Sequence, residues 1–193
     1  MRIVSGEWRG RKLGEPQGRD VTRPTTDRVR EACASMVESA LEDGIAGARV
    51  LDAFAGSGAL GIEMLSRGAA RATFFDIDRR AAALVERNLS TLCCARSRYR
   101  VVIGDVALAA RRARVVGAPF DLVLLDPPYA MAADEVSALV IALDQAGALA
   151  PGAVVLYEHA ASAPGIWPEG FELLREKRYG ITAVDVLVRS RQD

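Results

Sequence analysis

From Arg49 to Glu158, short apolar runs alternate with stretches of helical period, and this alternation restricts the fold more than any other feature of the chain. Arg49 to Phe54, Ala72 to Asp76, Tyr99 to Ile103, Phe120 to Leu125 and Ala153 to Glu158 read as strands. Phe120-Asp121-Leu122-Val123-Leu124-Leu125 is nearly continuous in apolar residues, as suits a strand buried on both faces of a parallel sheet. Between the strands, Gly56 to Arg67 is a loop and then a helix, and Arg79 to Leu92, Val106 to Val116 and Ala133 to Ala146 are helical. Parallel strands need such crossovers, so the expectation is an α/β, Rossmann-like domain with helices on both sheet faces. Phe171 to Tyr179 and Ala183 to Arg189, joined by Gly180-Ile181-Thr182, complete a seven-stranded, mostly parallel sheet with a C-terminal antiparallel hairpin at or near its edge.

The first third reads differently. Residues 2–6 and 11–14 form a small hairpin around Glu7-Trp8-Arg9-Gly10, and a helix over 27–42 carries Val29, Ala32, Cys33, Met36, Val37, Ala40 and Leu41 on one face. Thr25 or Thr26 can cap this helix. The expected division is a basic N-terminal extension, residues 1–44, and a ligand-binding domain, residues 45–193. The formal net charge is zero, but residues 1–30 hold eight Lys/Arg and four Asp/Glu, against 17 and 21 in the remainder. A basic arm beside a mildly acidic globule fits either a contact to nucleic-acid phosphates or a solvated tail. No apolar run is long enough for a membrane span, and Met1 to Glu7 lacks the apolar core of a secretory leader. Cys33, Cys93 and Cys94 are odd in number and lack Cys-x-x-Cys spacing, so a reduced, cytoplasmic protein without a structural metal is expected.

The first strand leads into Asp52-Ala53-Phe54-Ala55-Gly56-Ser57-Gly58-Ala59-Leu60-Gly61, which opens a helix. Gly56 and Gly58 allow backbone to approach a ligand closely, and the helix N-terminus offers unpaired N–H groups. The Gly-x-Gly-x-x-Gly spacing fits NAD and other nucleoside ligands alike. Asp76, twenty residues beyond Gly56 at the end of the second strand, can hold a ribose with either ligand. Asp52 tips the choice, because a carboxylate in this loop repels a pyrophosphate and suits a cationic cofactor. S-adenosylmethionine is such a molecule, with a sulfonium, an ammonium and no phosphate. Asp105 ends the third strand and can accept from an adenine amine while the Val106 N–H faces the ring. Each acid also has a plainer role: Asp52 and Asp105 as helix caps, Asp76 or Asp78 as the N-cap before Arg79.

The fourth strand ends in Asp126-Pro127-Pro128-Tyr129. Two prolines lack N–H groups and fix φ, so the backbone there is a rigid corner with free carbonyls. A carboxylate, carbonyls and a flat ring suit a planar amine, with acceptors for its N–H groups and a surface for stacking.

These motifs resemble a known family. Asp52-x-x-x-Gly56-Ser57-Gly58, Asp76, Asp105 and Asp126-Pro127-Pro128-Tyr129 are similar to the cofactor loop, ribose acid, adenine acid and amino-methylating motif of class I S-adenosylmethionine-dependent methyltransferases. Arg23-Pro24-Thr25-Thr26-Asp27-Arg28-Val29-Arg30-Glu31, with Ile3-Val4-Ser5-Gly6 and Arg9-Gly10-Arg11, resembles the RsmD-type family, which methylates N2 of a guanine in 16S ribosomal RNA. The resemblance implies the class I methyltransferase fold, with S-adenosylmethionine as cofactor and no metal. It implies cofactor contacts at Asp52, Phe54, Gly56, Ser57, Gly58, Asp76, Ile77, Asp105, Val106 and Asp126. Asp126, Pro127 and Tyr129 would be catalytic, and Arg9, Arg11, Arg23, Thr25, Arg28, Arg30 and Tyr129 would contact RNA. The expected partner is 16S ribosomal RNA, free or within a small-subunit particle, met by a monomer without a membrane. The rival readings are a DNA or RNA adenine-N6 methyltransferase, an NAD-binding oxidoreductase, and a non-catalytic RNA-binding protein that keeps the fold.

Overall fold

A computed structural model describes residues 1–16 and 27–190. Arg23, Thr25 and the alternative cap Thr26 lie outside the described residues. The elements in chain order are α1 (Asp27–Ala40), β1 (Arg49–Asp52), α2 (Ala59–Ser66), β2 (Arg71–Asp76), α3 (Arg79–Thr91), β3 (Tyr99–Ile103), α4 (Val106–Arg111), β4 (Phe120–Leu125), α5 (Ala133–Gln145), β5 (Leu149–Ala160), β6 (Phe171–Tyr179) and β7 (Thr182–Arg189).

The strands form one seven-stranded sheet in the order β3-β2-β1-β4-β5-β7-β6. The first five run parallel, β7 lies antiparallel between β5 and β6, and β6 is the edge. Along the middle of the sheet, side chains alternate between two cores. Val50, Leu122, Leu124, Val154 and Leu156 meet α1, α2, α3 and the N-terminal residues Ile3, Trp8 and Leu13. Leu51, Val123, Leu125 and Val155 meet α4 and α5 on the other face. Both faces of β4 are therefore dry, with Leu122 to Leu125 fully buried, which is why that strand has no polar alternation.

The order reverses between β1 and β4, since β2 and β3 extend one way and β5 the other. These two strands pair through Val50↔Leu122, Leu51↔Val123 and Asp52↔Leu124. Crossover loops part at such a reversal and leave a crevice at the carboxyl ends of the strands. Asp52 ends β1 and Asp126 follows β4 directly, so both acids stand at its mouth.

Several boundaries differ from the sequence reading. β1 stops at Asp52 because Ala53 already turns into the loop. The helix expected to reach Val116 ends at Arg111, and Ala113 then adopts a left-handed φ of 49°. β5 starts at Leu149 and not at Ala153, with an irregularity in its pairing with β4 that absorbs Pro151 and Gly152. The N-terminal hairpin is reduced to a single Arg2↔Lys12 bridge supported by Ile3 N–H to Arg11 O and Leu13 N–H to Met1 O bonds. Among the described residues, no helix is long and apolar enough to cross a membrane.

Candidate active site

A cavity of about 420 Å³ opens at the β1/β4 reversal, a size suited to a small organic ligand. Its lining includes Asp52, Phe54, Gly56, Ser57, Asp76, Ile77, Asp105, Val106, Asp126, Pro127 and Tyr129. The structure thus brings together every sequence-selected cofactor and catalytic residue except Gly58. That glycine sits behind the wall at φ 77°, where an added Cβ meets Val85 and Ile62 at 3.1–3.2 Å. Gly56, by contrast, faces open space at φ 54°. Gly61 lets α2 lie against the sheet: a Cβ there would come within 2.4 Å of Phe74.

Four acids define the chemistry. Asp76 is the brace of the glycine loop, its Oδ2 accepting the Gly56 N–H and its Oδ1 the Asp78 N–H, both at 2.8 Å. The helix cap before Arg79 is Asp78, which accepts from Arg80 N–H at 2.8 Å. Asp105 caps α4 through Oδ1, which takes the Ala107 and Leu108 N–H groups at 2.8 and 3.1 Å. Its other oxygen accepts no hydrogen bond among the described residues. Asp52 Oδ2 takes the Gly61 N–H, in the first turn of α2, at 3.1 Å. The capping roles are therefore real, and they coexist with places in the cavity wall.

Asp52 is pushed up to about 7, chiefly by burial, with the Gly61 N–H pulling the other way and the Asp126 and Asp76 charges adding to the rise. Asp126 differs from its neighbours. Its side chain is exposed toward the cavity, and the protein atoms crowded around the carboxylate displace enough solvent to raise it to about 6. Neither this carboxylate nor the Pro127 carbonyl accepts a hydrogen bond among the described residues, whereas Pro128 O is taken by Met131 N–H at 2.9 Å. Two unclaimed acceptors thus share one corner of the cavity. Tyr129 stands beside them, 56% exposed at the rim.

The residues chosen as RNA contacts are not all alike. Arg9, Arg11 and Arg28 are exposed, and Arg11 Nη2 also donates to Thr91 O at 2.7 Å. Arg30 departs from the expected exposed arm: it is fully buried and belongs to the cavity wall. Trp8 is buried beneath the Arg98 guanidinium, so it pins the hairpin to the domain. His159 is buried too, stacked on Tyr157 and bonded to Asp185 through Nε2 at 3.2 Å. Sequence reasoning missed Glu158, which also lines the cavity. Its signal was available, since it is the acid near the carboxyl end of β5.

The family model described as conserved hypothetical protein 95 matches residues 1–188. Ribosomal RNA small subunit methyltransferase D of Haemophilus influenzae is 36% identical over 183 residues, 95% of this chain and 91% of the relative. The Escherichia coli K12 protein of the same name is 37% identical over 194 residues, with 100% and 91% covered. The chain belongs to this RsmD-type family. The solved structure of Escherichia coli yhhF superposes with a TM-score of 0.81 at 36% identity, covering 100% of this chain and 99% of that one. The family match thus includes both the hairpin that carries Arg9 and Arg11 and the Asp126–Tyr129 corner, so arm and cavity come as one unit.

Proposed function

We propose that this chain transfers a methyl group from S-adenosylmethionine to the exocyclic N2 amine of a guanine in 16S ribosomal RNA. The observation that carries the reading is the pair of unclaimed acceptors, the Asp126 carboxylate and the Pro127 carbonyl, in the same cavity as Asp52, Asp76 and Asp105. The names of the relatives support an RNA of the small ribosomal subunit as substrate.

The wall fits the cofactor in charge: acids face the places where a sulfonium, an ammonium, a ribose and an adenine amine would lie. Bound there, S-adenosylmethionine supplies an electrophilic methyl. Asp52 would hold the cationic amino-acid end, Asp76 the ribose, and Asp105 with the Val106 N–H the adenine edge, while Phe54 and Ile77 would pack on the apolar surfaces. The chain's own catalytic work is done on the nucleobase. A guanine amine is a poor nucleophile because its lone pair is delocalised into the ring. Asp126 and Pro127 would accept its two N–H bonds, draw the nitrogen toward tetrahedral geometry and stabilise the positive charge that develops as the N–C bond forms and the sulfonium S–C bond breaks; the methylated nitrogen then sheds its proton to Asp126, directly or through water. Holding the amine in line with the methyl supplies most of the remaining acceleration. Tyr129 stacks on the base once it is splayed from its own stack. Arg9, Arg11 and Arg28, exposed outside the cavity, would grip the RNA backbone together with Arg23 and Thr25, so binding weakens with salt.

The test is methyl incorporation from labelled cofactor into free 16S RNA, into small-subunit particles and into plasmid DNA, with the product identified by nucleoside mass. N2-methylguanosine in RNA is expected. Methyladenosine in either nucleic acid overturns the base assignment, and stabilisation of the protein by NAD rather than S-adenosylhomocysteine overturns the cofactor.

A further inference from the structure

We infer that Arg30 is the receptor for the α-carboxylate of the cofactor's amino-acid end; this rests on the reading of the cavity given above. Arg30 lies in the first turn of α1 and is 0% exposed. Its Nη2 donates to the Arg2 carbonyl at 2.8 Å and to Asp27 Oδ1. Its Nε and Nη1 are buried without a hydrogen-bond partner among the described residues. A buried guanidinium with unmade bonds is costly, and a fold keeps one where an anion completes it. Asp27 is only a partial counterion, because its side chain is 40% exposed and is shared with Arg2.

Charge complementarity names the anion. Among the described residues the cavity is lined by five acids, Asp52, Asp76, Asp105, Asp126 and Glu158, and by one arginine, Arg30. The other cation there, the amino group of Met1, is paired with Glu15. A ligand for this wall therefore carries several positive or donor groups and a single negative one. S-adenosylmethionine has that pattern, and its only anionic group is the α-carboxylate. The location agrees, since Arg30 shares the cavity wall with Asp126 and Glu158, and α1 packs beside β5. A phosphate of the RNA backbone is a poorer candidate, because it stays at the surface while Arg30 is covered. A carboxylate at the end of a flexible chain can reach the wall from within.

The experiment compares two ligands on the full chain by calorimetric titration. One is S-adenosylhomocysteine; the other is its decarboxylated analogue, which keeps the adenosine, the sulfur and the amine. For Arg30→Met, affinity for S-adenosylhomocysteine is expected to fall roughly 10- to 100-fold, the range for losing charge-assisted bonds. Affinity for the decarboxylated analogue is expected to stay as in the unaltered protein, which also shows that the variant is folded. Arg30→Lys should recover part of the lost affinity. Equal weakening of both ligands, or unchanged affinity for S-adenosylhomocysteine, overturns the assignment. If the unaltered protein binds neither ligand, the methyltransferase reading itself fails, which is a different result.

Discussion

Glu63, fully buried on α2, accepts the backbone N–H groups of Val4 and Ser5 at 2.9 and 3.0 Å. It also takes a bond from Arg67 Nε at 2.9 Å. One turn along, Ser66 Oγ accepts from the Trp8 N–H at 3.0 Å and donates to Ser5 O at 2.6 Å. Gly6 passes so close that a Cβ would fall 1.8 Å from Ser66 O, which only a glycine at φ 83° allows. The N-terminal hairpin is therefore latched to α2, the helix that opens from the cofactor loop. Removing the Glu63 carboxylate strands two amides and a guanidinium at once. Glu63→Ala is expected to cost about 2–4 kcal/mol of stability, and Glu63→Gln less, since its amide oxygen still accepts. Urea denaturation checks this; a loss below about 1 kcal/mol for the alanine variant would mean that the arm is not coupled to the fold.

The catalytic corner has a pH signature. Asp126 must be ionised to accept a donor N–H and stabilise developing positive charge, and partial desolvation by the surrounding protein raises it to about 6. Below that pH the carboxyl is protonated, one oxygen becomes a donor, and the corner loses an acceptor. Single-turnover methyl transfer should therefore rise with pH through about 6 and level off above it. Asp126→Asn should flatten this limb and slow transfer by on the order of 10²–10³-fold, the range for losing one preorganised charge-stabilising group. An unshifted limb in the asparagine variant assigns the titration to another group.

The sheet and the cavity were legible in the sequence because the signals there are local. Continuous apolar runs mark central strands, and a strand end carrying Asp52, Asp76, Asp105 or Asp126 must lie on one sheet edge once the strands are parallel. What escaped depended on contacts distant in sequence. Arg30 is separated from Asp52 by 22 positions and read as one more arginine of a basic arm; only the packing of α1 beside β5 and β7 places it in the wall. Glu63 carries no local signal of its role, because nothing near it in sequence announces that Val4 and Ser5 come to rest on it. Nothing local in the sequence fixes the role of Trp8, and its burial under Arg98 makes it an anchor. The insertion of β7 between β5 and β6 also needs long-range pairing, since a hairpin can join a sheet by either strand.

Tyr129 separates stacking from chemistry. It is 56% exposed and makes no side-chain hydrogen bond among the described residues, so its removal should leave the fold intact. Base–aromatic stacking contributes about 1–3 kcal/mol, so Tyr129→Ala should weaken kcat/KM for RNA by roughly 5- to 150-fold. Tyr129→Phe, which keeps the ring, should behave like the unaltered protein. Steady-state kinetics with saturating cofactor decides, and a defect in Tyr129→Phe as large as in Tyr129→Ala would shift the role from the ring to the hydroxyl.

On the proposed reading of the cavity, Asp52 links cofactor binding to protons. It is buried, held to the Gly61 N–H at 3.1 Å and raised to about 7, against about 3.9 for an unfolded aspartate. Between those values the native protein holds a proton that the unfolded chain releases, so stability without ligand should fall as pH rises from about 4 to about 7. A cationic ligand reverses the preference, because its ammonium favours the ionised carboxylate. Binding of S-adenosylhomocysteine should then release a proton below about pH 7 and tighten as pH rises toward that value. Titration calorimetry in buffers of different ionisation enthalpy counts the proton. Asp52→Asn keeps an oxygen for the Gly61 N–H but cannot ionise, so it should bind more weakly and lose the proton release that Asp126 does not account for. Proton release identical in Asp52→Asn and the unaltered protein would show that the cofactor's positive end is held elsewhere in the cavity.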